Sequence, residues 1–176
     1  MPPAVEVLTV GHSTRSAEEL VELLRSHDAA LLVDVRTIPR SRHNPQFERE
    51  ALQGTLTEAG IAYRHEPGLG GLRKPSPDSI NMGWKNASFR GYADHMQTPQ
   101  FARLVDALLE QARKTRTALM CAEAVPWRCH RSLIADALSV RGAEVSHIFS
   151  AKQKRPHRLA PFARVEGRRI SYPGLF

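Results

Sequence analysis

The feature that most constrains this chain is the regular alternation of short β-prone runs with amphipathic helical stretches. Val5 to Val10 (VEVLTV) is rich in β-branched residues and runs into the turn Gly11-His12-Ser13. Ser16 and Glu19 then make a capping-box pattern, opening a helix whose apolar positions are Leu20, Val21, Leu23 and Leu24 and which ends near His27. Leu31 to Val35 is a second apolar run. Strand, helix, strand at this spacing is a βαβ unit, which requires parallel pairing and a right-handed crossover.

The alternation continues. After Arg36 a polar loop with Pro39 and Pro45 excludes regular structure, and a helix follows from about Glu48, with Leu52, Leu56 and Ala59 on one face and Gly60 as its stop. Ile61 to His65 reads as a third strand, ended by Pro67 and the cluster Gly68-Leu69-Gly70-Gly71, where backbone is free to approach a ligand closely. Leu72 to Gly91 has little periodicity and reads as a long excursion or lid. Pro99 to Arg113 carries Phe101, Leu104, Val105, Leu108, Leu109 and Ala112 at helical spacing. The stretch Thr117–Gly142 is a fourth strand reaching Cys121-Ala122-Glu123, a tight connection, and a helix with Leu133, Ile134, Ala137 and Leu138 inward and Gly142 as its stop; Cys129, His130 and Arg131 sit in its first turn. Glu144 to Ile148 makes a fifth strand. The pattern predicts one α/β domain with a largely parallel sheet of about five strands flanked by helices, in the Rossmann-like manner.

Charge divides the chain unevenly. Of 25 Lys/Arg and 18 Asp/Glu, seven and one respectively lie from Ala151 onward, which leaves 18 against 17 before it. Residues 1–150 therefore read as a nearly neutral α/β domain and 151–176 as a basic tail, with two β-prone runs around Glu166-Gly167 that suggest a hairpin. The tail is either a solvated surface segment or a contact for nucleic-acid phosphates. No apolar run approaches the roughly 20 residues of a membrane span, and the start lacks the pattern of a secretory leader, so a cytoplasmic location without membrane contact is expected. Two cysteines are too few for a disulfide framework and are expected as free thiols or ligands.

In a parallel sheet every strand's carboxyl end emerges on one edge, where ligands bind. The chemically equipped residues gather there: His12 and Ser13 after the first strand, Asp34 and Arg36 after the second, His65 and Glu66 after the third, Cys121 and Glu123 after the fourth, His147 in the fifth. The amino ends, such as Ala29-Ala30 and Gly60-Ile61, are bland.

Several separated motifs add a family resemblance: Val10-Gly11-His12-Ser13, Asp34-Val35-Arg36, Pro39-Arg40-Ser41, Asn44-Pro45-Gln46-Phe47, Leu69-Gly70-Gly71, Phe89-Arg90-Gly91-Tyr92, and Cys121-Ala122-Glu123 with Cys129-His130-Arg131. Together they closely resemble the bacterial and archaeal domain-of-unknown-function family 488 (DUF488), from about Val7 to Ile148. The resemblance implies a three-layer α/β domain and brings no established reaction.

The residues themselves point to an intracellular enzyme, with a small anionic or nucleotide-like ligand as its partner. Arg36 and Arg131, with the helix amino terminus, are candidate anion-binding groups, and Asp34, Glu123, His12 and His130 are candidates for proton transfer. Ser13, Cys129, Gly70, Gly71, Tyr92 and Trp127 complete the expected substrate site. Bland readings stand beside these: Glu123 with Arg131 as a structural ion pair, the aromatics as packing anchors, Cys121 as core, Cys129 as an inert buried thiol. A phosphatase-like cysteine loop is disfavoured, because Glu123 would repel the phosphate and Pro126 and Trp127 stand where small residues are wanted. A zinc site from Cys121, Cys129, His130, His12 and Glu123 lacks Cys-x-x-Cys or His-x-x-x-His spacing, so no metal is assigned and the cofactor is left open. The alternatives are a nucleic-acid-binding module led by the tail and a thiol or metal-dependent sensor.

Overall fold

The computed structural model describes residues 4–174; the first three residues of the chain and the last two of the tail lie outside them. Glu6–Gly11 (β1), Leu31–Asp34 (β2), Ala62–His65 (β3), Thr117–Cys121 (β4) and Glu144–Ser150 (β5) are parallel, and Gln153–Pro156 (β6) joins antiparallel to β5. The sheet order is β3-β2-β4-β1-β5-β6.

Helices cover both faces, making three layers. Ala17–Ser26 (α1) and Arg49–Glu58 (α2) lie on one side, where Leu20, Leu24, Leu52 and Leu56 meet Leu8, Val10, Leu32 and Met120. Ala87–His95 (α3), Pro99–Lys114 (α4) and Arg131–Ser139 (α5) lie on the other, where Tyr92, Phe101, Val105, Leu133 and Ile134 meet Val7, Val33, Leu119 and Val145. The alternation along each strand assigns the faces: Val7 and Leu8 of β1 go to opposite cores, as do Leu119 and Met120 of β4. Thr9 and Cys121 consequently point toward α5.

Local chemistry ends the helices as expected. The Glu19 backbone N–H donates to Ser16 Oγ and the Ser16 N–H donates to Glu19 Oε1, both at 3.1 Å, closing the capping box at the start of α1. After α2 and α5, Gly60 (φ +77°) and Gly142 (φ +90°) take the left-handed conformation that a side chain disfavours.

The residues after Ser150 are built into the same body. β6 extends the sheet, Arg164–Glu166 (β7) and Arg169–Ser171 (β8) form a hairpin across Gly167, and Ile170 and Tyr172 are buried in the core of the α3–α5 side. Among the described residues no helix is long and apolar enough to cross a membrane.

The topology positions the site. The chain leaves β1 and β2 toward α1 and α2 on one face, but leaves β4, which lies between them, toward α5 on the other. Loops that diverge at a strand's carboxyl end leave a crevice there.

Candidate functional site

The crevice is a cleft of about 380 Å³ whose lining includes Arg36, Arg40, Glu123, Arg128, Cys129 and His130, with Cys121 also bordering it. Its floor is a pair of free thiols, Cys129 Sγ lying 2.7 Å from Cys121 Sγ. Cys121 is the last residue of β4 and Cys129 stands two residues before α5, so the turn through Pro126–Arg128 folds one sulfur back onto the other.

Behind the floor lies Arg131, a completely buried arginine. Its Nη1 donates to Cys121 Sγ at 2.8 Å and to the carbonyl of Glu123, Nη2 donates to the carbonyl of Ala124 at 3.1 Å, and Nε donates to Thr9 Oγ1 at 3.1 Å. The guanidinium thus binds the backbone of Glu123 rather than its carboxylate, and no ion pair to Arg131 exists among the described residues. A buried charge needs compensation, and the nearest acidic group is the Cys121 thiol. Burial pushes that thiol up, but the Cys129 S–H and the Arg131 guanidinium outweigh it and bring it down to about 7. Cys129 moves the other way, because it is the donor to Cys121 and is itself buried.

The orientation of Arg131 is held from behind by a buried hydrogen-bond chain. Thr9 Oγ1 lies 2.5 Å from His147 Nδ1, His147 Nε2 lies 2.9 Å from His157 Nδ1, His157 Nε2 lies 2.6 Å from Asp136 Oδ1, and Tyr172 donates to Asp136 Oδ2 at 2.7 Å. One polarity satisfies every member: Arg131 donates to Thr9, Thr9 to His147, His147 to His157, and His157 to the carboxylate. Burial, with His157 and Arg131 nearby, pushes His147 down to about 3 and keeps it neutral.

His130 caps α5 and reaches the floor from the side. Its Nε2–H donates to the Val35 carbonyl at 2.8 Å, which leaves the Nδ1 lone pair 3.4 Å from Cys129 Sγ. Burial lowers its pKa to about 4, so the lone pair is free at neutral pH. The Glu123 side chain is exposed at the rim, with Oε1 accepting from the Val125 N–H.

The expected site residues therefore separate into two groups. Arg36, Gly71, Glu123, Cys129 and His130 share the cleft. His12, Asp34, Arg131 and Tyr92 stand behind its wall. Both Asp34 oxygens are saturated, by the Arg36 backbone and guanidinium and by the Tyr63 hydroxyl at 2.6 Å. His12 donates from Nδ1 to the Ser13 carbonyl and stacks on Phe47, with ring centroids 4.4 Å apart. Burial, with Arg36 beside it, holds His12 below its ordinary pKa. Ser13, at φ 48°, donates its N–H to the Ala122 carbonyl and ties the β1 loop to the β4 loop. Tyr92 is wholly buried, its hydroxyl on the Leu69 carbonyl. Gly70 and Gly71 allow close approach within the protein: a Cβ at Gly70 would stand 2.6 Å from Thr37 Cα, and one at Gly71 would stand 2.7 Å from His130 Nδ1. Trp127 is 63% exposed and turns to a second cavity of about 450 Å³, walled by Trp84, Phe149, Phe162 and His157.

Two charged cleft residues fall outside the expected set. Arg40 and Arg128 are exposed, line the cleft, and form no ion pair among the described residues. Arg128 was legible as a neighbour of Cys129; Arg40 sits in the irregular loop after β2, where only its place in Pro39-Arg40-Ser41 marked it. Among the described residues no group of three His, Cys, Asp or Glu side chains is placed to hold a metal ion.

With the geometry in place, comparison with known families decides membership. The model of the family described as "Domain of unknown function DUF488" matches residues 16–138. The chain belongs to the DUF488 family. The matched span runs from the cap of α1 to the penultimate residue of α5, so both cysteines, His130 and Arg131 of this DUF488 domain lie inside it, while His12 and His147 lie outside. No curated protein and no solved structure matches the chain.

Proposed function

We propose that this DUF488 protein is an enzyme acting on an anionic substrate, phosphate-bearing or nucleotide-like, in the cleft at the carboxyl edge of the sheet. The observation that carries the reading is the convergence of Arg40 and Arg128, neither of which forms an ion pair among the described residues, over a thiol pair whose proton is loosened by Arg131. In this reading Arg40 and Arg128 bind the anion, the thiol pair supplies the nucleophile, and Glu123 and His130 move protons.

The tail gives less support to a nucleic-acid-binding module. Lys154 pairs with Glu6, Arg168 with Asp106 and Arg164 with Glu166, while Arg155 lies over the Phe149 ring. Much of the basic surplus therefore meets acids or aromatics of the protein itself.

The test is calorimetric titration with inorganic pyrophosphate and with AMP. Binding to the wild type is expected, weakened about tenfold by each of Arg40→Ala and Arg128→Ala, a loss of roughly 1.4 kcal/mol per arginine. Absence of binding to the wild type, or equal binding by the double variant, rejects the reading.

A further inference from the structure

The two sulfurs on the cleft floor are in contact, so a thiol reaction at one has the other beside it. Both cysteines border the cleft, Cys129 at 7% exposure and Cys121 at 2%, so Cys129 is the more accessible of the two. Closing the 2.7 Å between them to the ~2.05 Å of a disulfide needs less than about 1 Å of approach. The sulfurs are in direct contact, with the Arg131 guanidinium on Cys121. A more accessible thiol, a second sulfur in contact with it, and exposed arginines at the rim are the parts of a two-electron exchange centre.

We propose that Cys121 and Cys129 of this domain cycle between dithiol and disulfide, and that the substrate is a small disulfide bearing carboxylate or phosphate groups. The proposal rests on the preceding reading of the cleft as an anion site and names the substrate's reacting group. In the first step Cys129 Sγ attacks one sulfur of the substrate disulfide while its proton passes to Cys121 Sγ; the substrate S–S bond breaks and one thiolate leaves. In the second, Cys121 Sγ attacks Cys129 Sγ, forming the intrachain disulfide and expelling the second half of the substrate, which takes the proton from Cys121. The two cysteines lose two electrons, the substrate disulfide gains them, and the products are one thiol and one thiolate. A low-molecular-weight thiol in excess returns the protein to the dithiol form.

Arg40 and Arg128 select charge, since a neutral disulfide has nothing to offer two exposed guanidinium groups. His130 Nδ1, 3.4 Å from Cys129 Sγ, is a positioning group that steadies the attacking sulfur against its neighbour.

The experiment is a single-turnover reaction of the reduced full chain with excess oxidised glutathione, read by intact mass and free-thiol count. The wild type is expected to lose both thiols with a mass decrease of about 2 Da and no retained glutathione, and Cys121→Ser to stop as a glutathione adduct on Cys129. A wild type that accumulates the adduct without an intrachain disulfide overturns the proposal, as does one that keeps both thiols when free cysteine reacts fully. Should Cys121→Ser not fold, the wild-type readout decides alone, and Cys129→Ser must abolish the reaction. Oxidised glutathione is expected to react at least tenfold faster than bis(2-hydroxyethyl) disulfide, and Arg40→Ala with Arg128→Ala to erase that preference; equal rates in the wild type overturn the assignment of an anionic substrate. Coenzyme A disulfide, run in parallel, separates phosphate from carboxylate recognition by which of the two anions is preferred. If pyrophosphate and AMP bind as expected and both thiols persist, the exchange centre fails and the anion cleft stands; if the disulfide forms and neither probe binds, the reverse holds.

Discussion

Arg131 Nη1 lies 2.8 Å from Cys121 Sγ, inside a wall where the arginine itself is completely buried. The guanidinium organises three things at once: the charge on the sulfur, the carbonyls of Glu123 and Ala124, and the link to Thr9. Arg131→Met should therefore do two separable kinds of damage. Loss of the positive charge returns Cys121 toward the ordinary thiol range, slowing alkylation of the thiol pair by iodoacetamide at pH 7.5 several-fold. Loss of the donors removes a partner from the part-buried carbonyls of Glu123 and Ala124 and from the buried Thr9 hydroxyl, at a cost of about 1–3 kcal/mol in denaturant unfolding. Arg131→Lys keeps charge without the planar fork, so it should retain part of the reactivity while still losing stability. Wild-type alkylation rates in Arg131→Met would remove Arg131 as the source of the thiolate.

Stability should depend on pH in two windows of opposite origin. Cys121 is lowered from an ordinary value of 9 to about 7, so its stabilising contribution grows as pH rises from about 7 to about 9 and is absent below. Cys129 is raised, so the folded state loses stability again once pH exceeds the unfolded thiol's value. On the acid side, His130 at about 4 and His147 at about 3 resist protonation in the fold but accept it when unfolded, near 6.5. Stability should fall with pH below about 6.5, each histidine adding a slope near 1.4 kcal/mol per pH unit. Denaturant midpoints measured from pH 4 to 10 test both windows, and Cys121→Ser should flatten only the alkaline one.

Gly71→Ala tests the side wall. The added Cβ would stand 2.7 Å from His130 Nδ1 and 2.9 Å from its Cγ, so the imidazole has to move away from Gly71. Its bond to the Val35 carbonyl is then lost or strained, and its lone pair no longer faces Cys129. Stability is expected to drop by about 1–3 kcal/mol, with Cys129 alkylation changed and binding of pyrophosphate by Arg40 and Arg128 retained. An unchanged thiol reactivity with an altered imidazole NMR shift would show that His130 does not act on Cys129.

The fold was legible wherever a local signal and tertiary packing agreed. The Ser16/Glu19 box, the apolar stripe of α4 and the alternation on β1 and β4 each belong to elements buried on the side their pattern demands. β6 was not legible: Gln153-Lys154-Arg155-Pro156 is exposed throughout and has no apolar period, and it is a strand because the edge of β5 offers unpaired backbone. α3 was hidden within the supposed excursion, since its Ser88 and Gly91 are poor helix formers. Asn86 caps it, and Gly91 is needed where a Cβ would meet the Arg73 carbonyl. Convergence at the carboxyl edge was readable from the order of strands, but which side chains face solvent was not. Arg131 looks like an anion clamp in sequence; in the fold it is completely buried, with its donors turned to Thr9, Cys121 and the Glu123–Ala124 carbonyls instead of the cleft.

The buried chain behind Arg131 can be cut at two points with different consequences. Thr9→Val is nearly isosteric, yet it leaves Arg131 Nε without its acceptor and His147 Nδ1 without its donor, both in a region closed to water. A loss of about 1–3 kcal/mol is expected from the two orphaned groups, together with slower alkylation of the thiol pair as the guanidinium loses its fixed orientation. Tyr172→Phe removes a donor at the far end, where Asp136 still accepts from His157. That change should cost about 1 kcal/mol and leave the alkylation rate at its wild-type value, since the bonds from His157 to Arg131 remain intact. Measured side by side, the two variants separate a chain that orients Arg131 from one that only holds the core. Equal effects on alkylation, or none from Thr9→Val, would mean that the thiol is set by Arg131 alone, with Thr9, His147 and His157 serving only as packing.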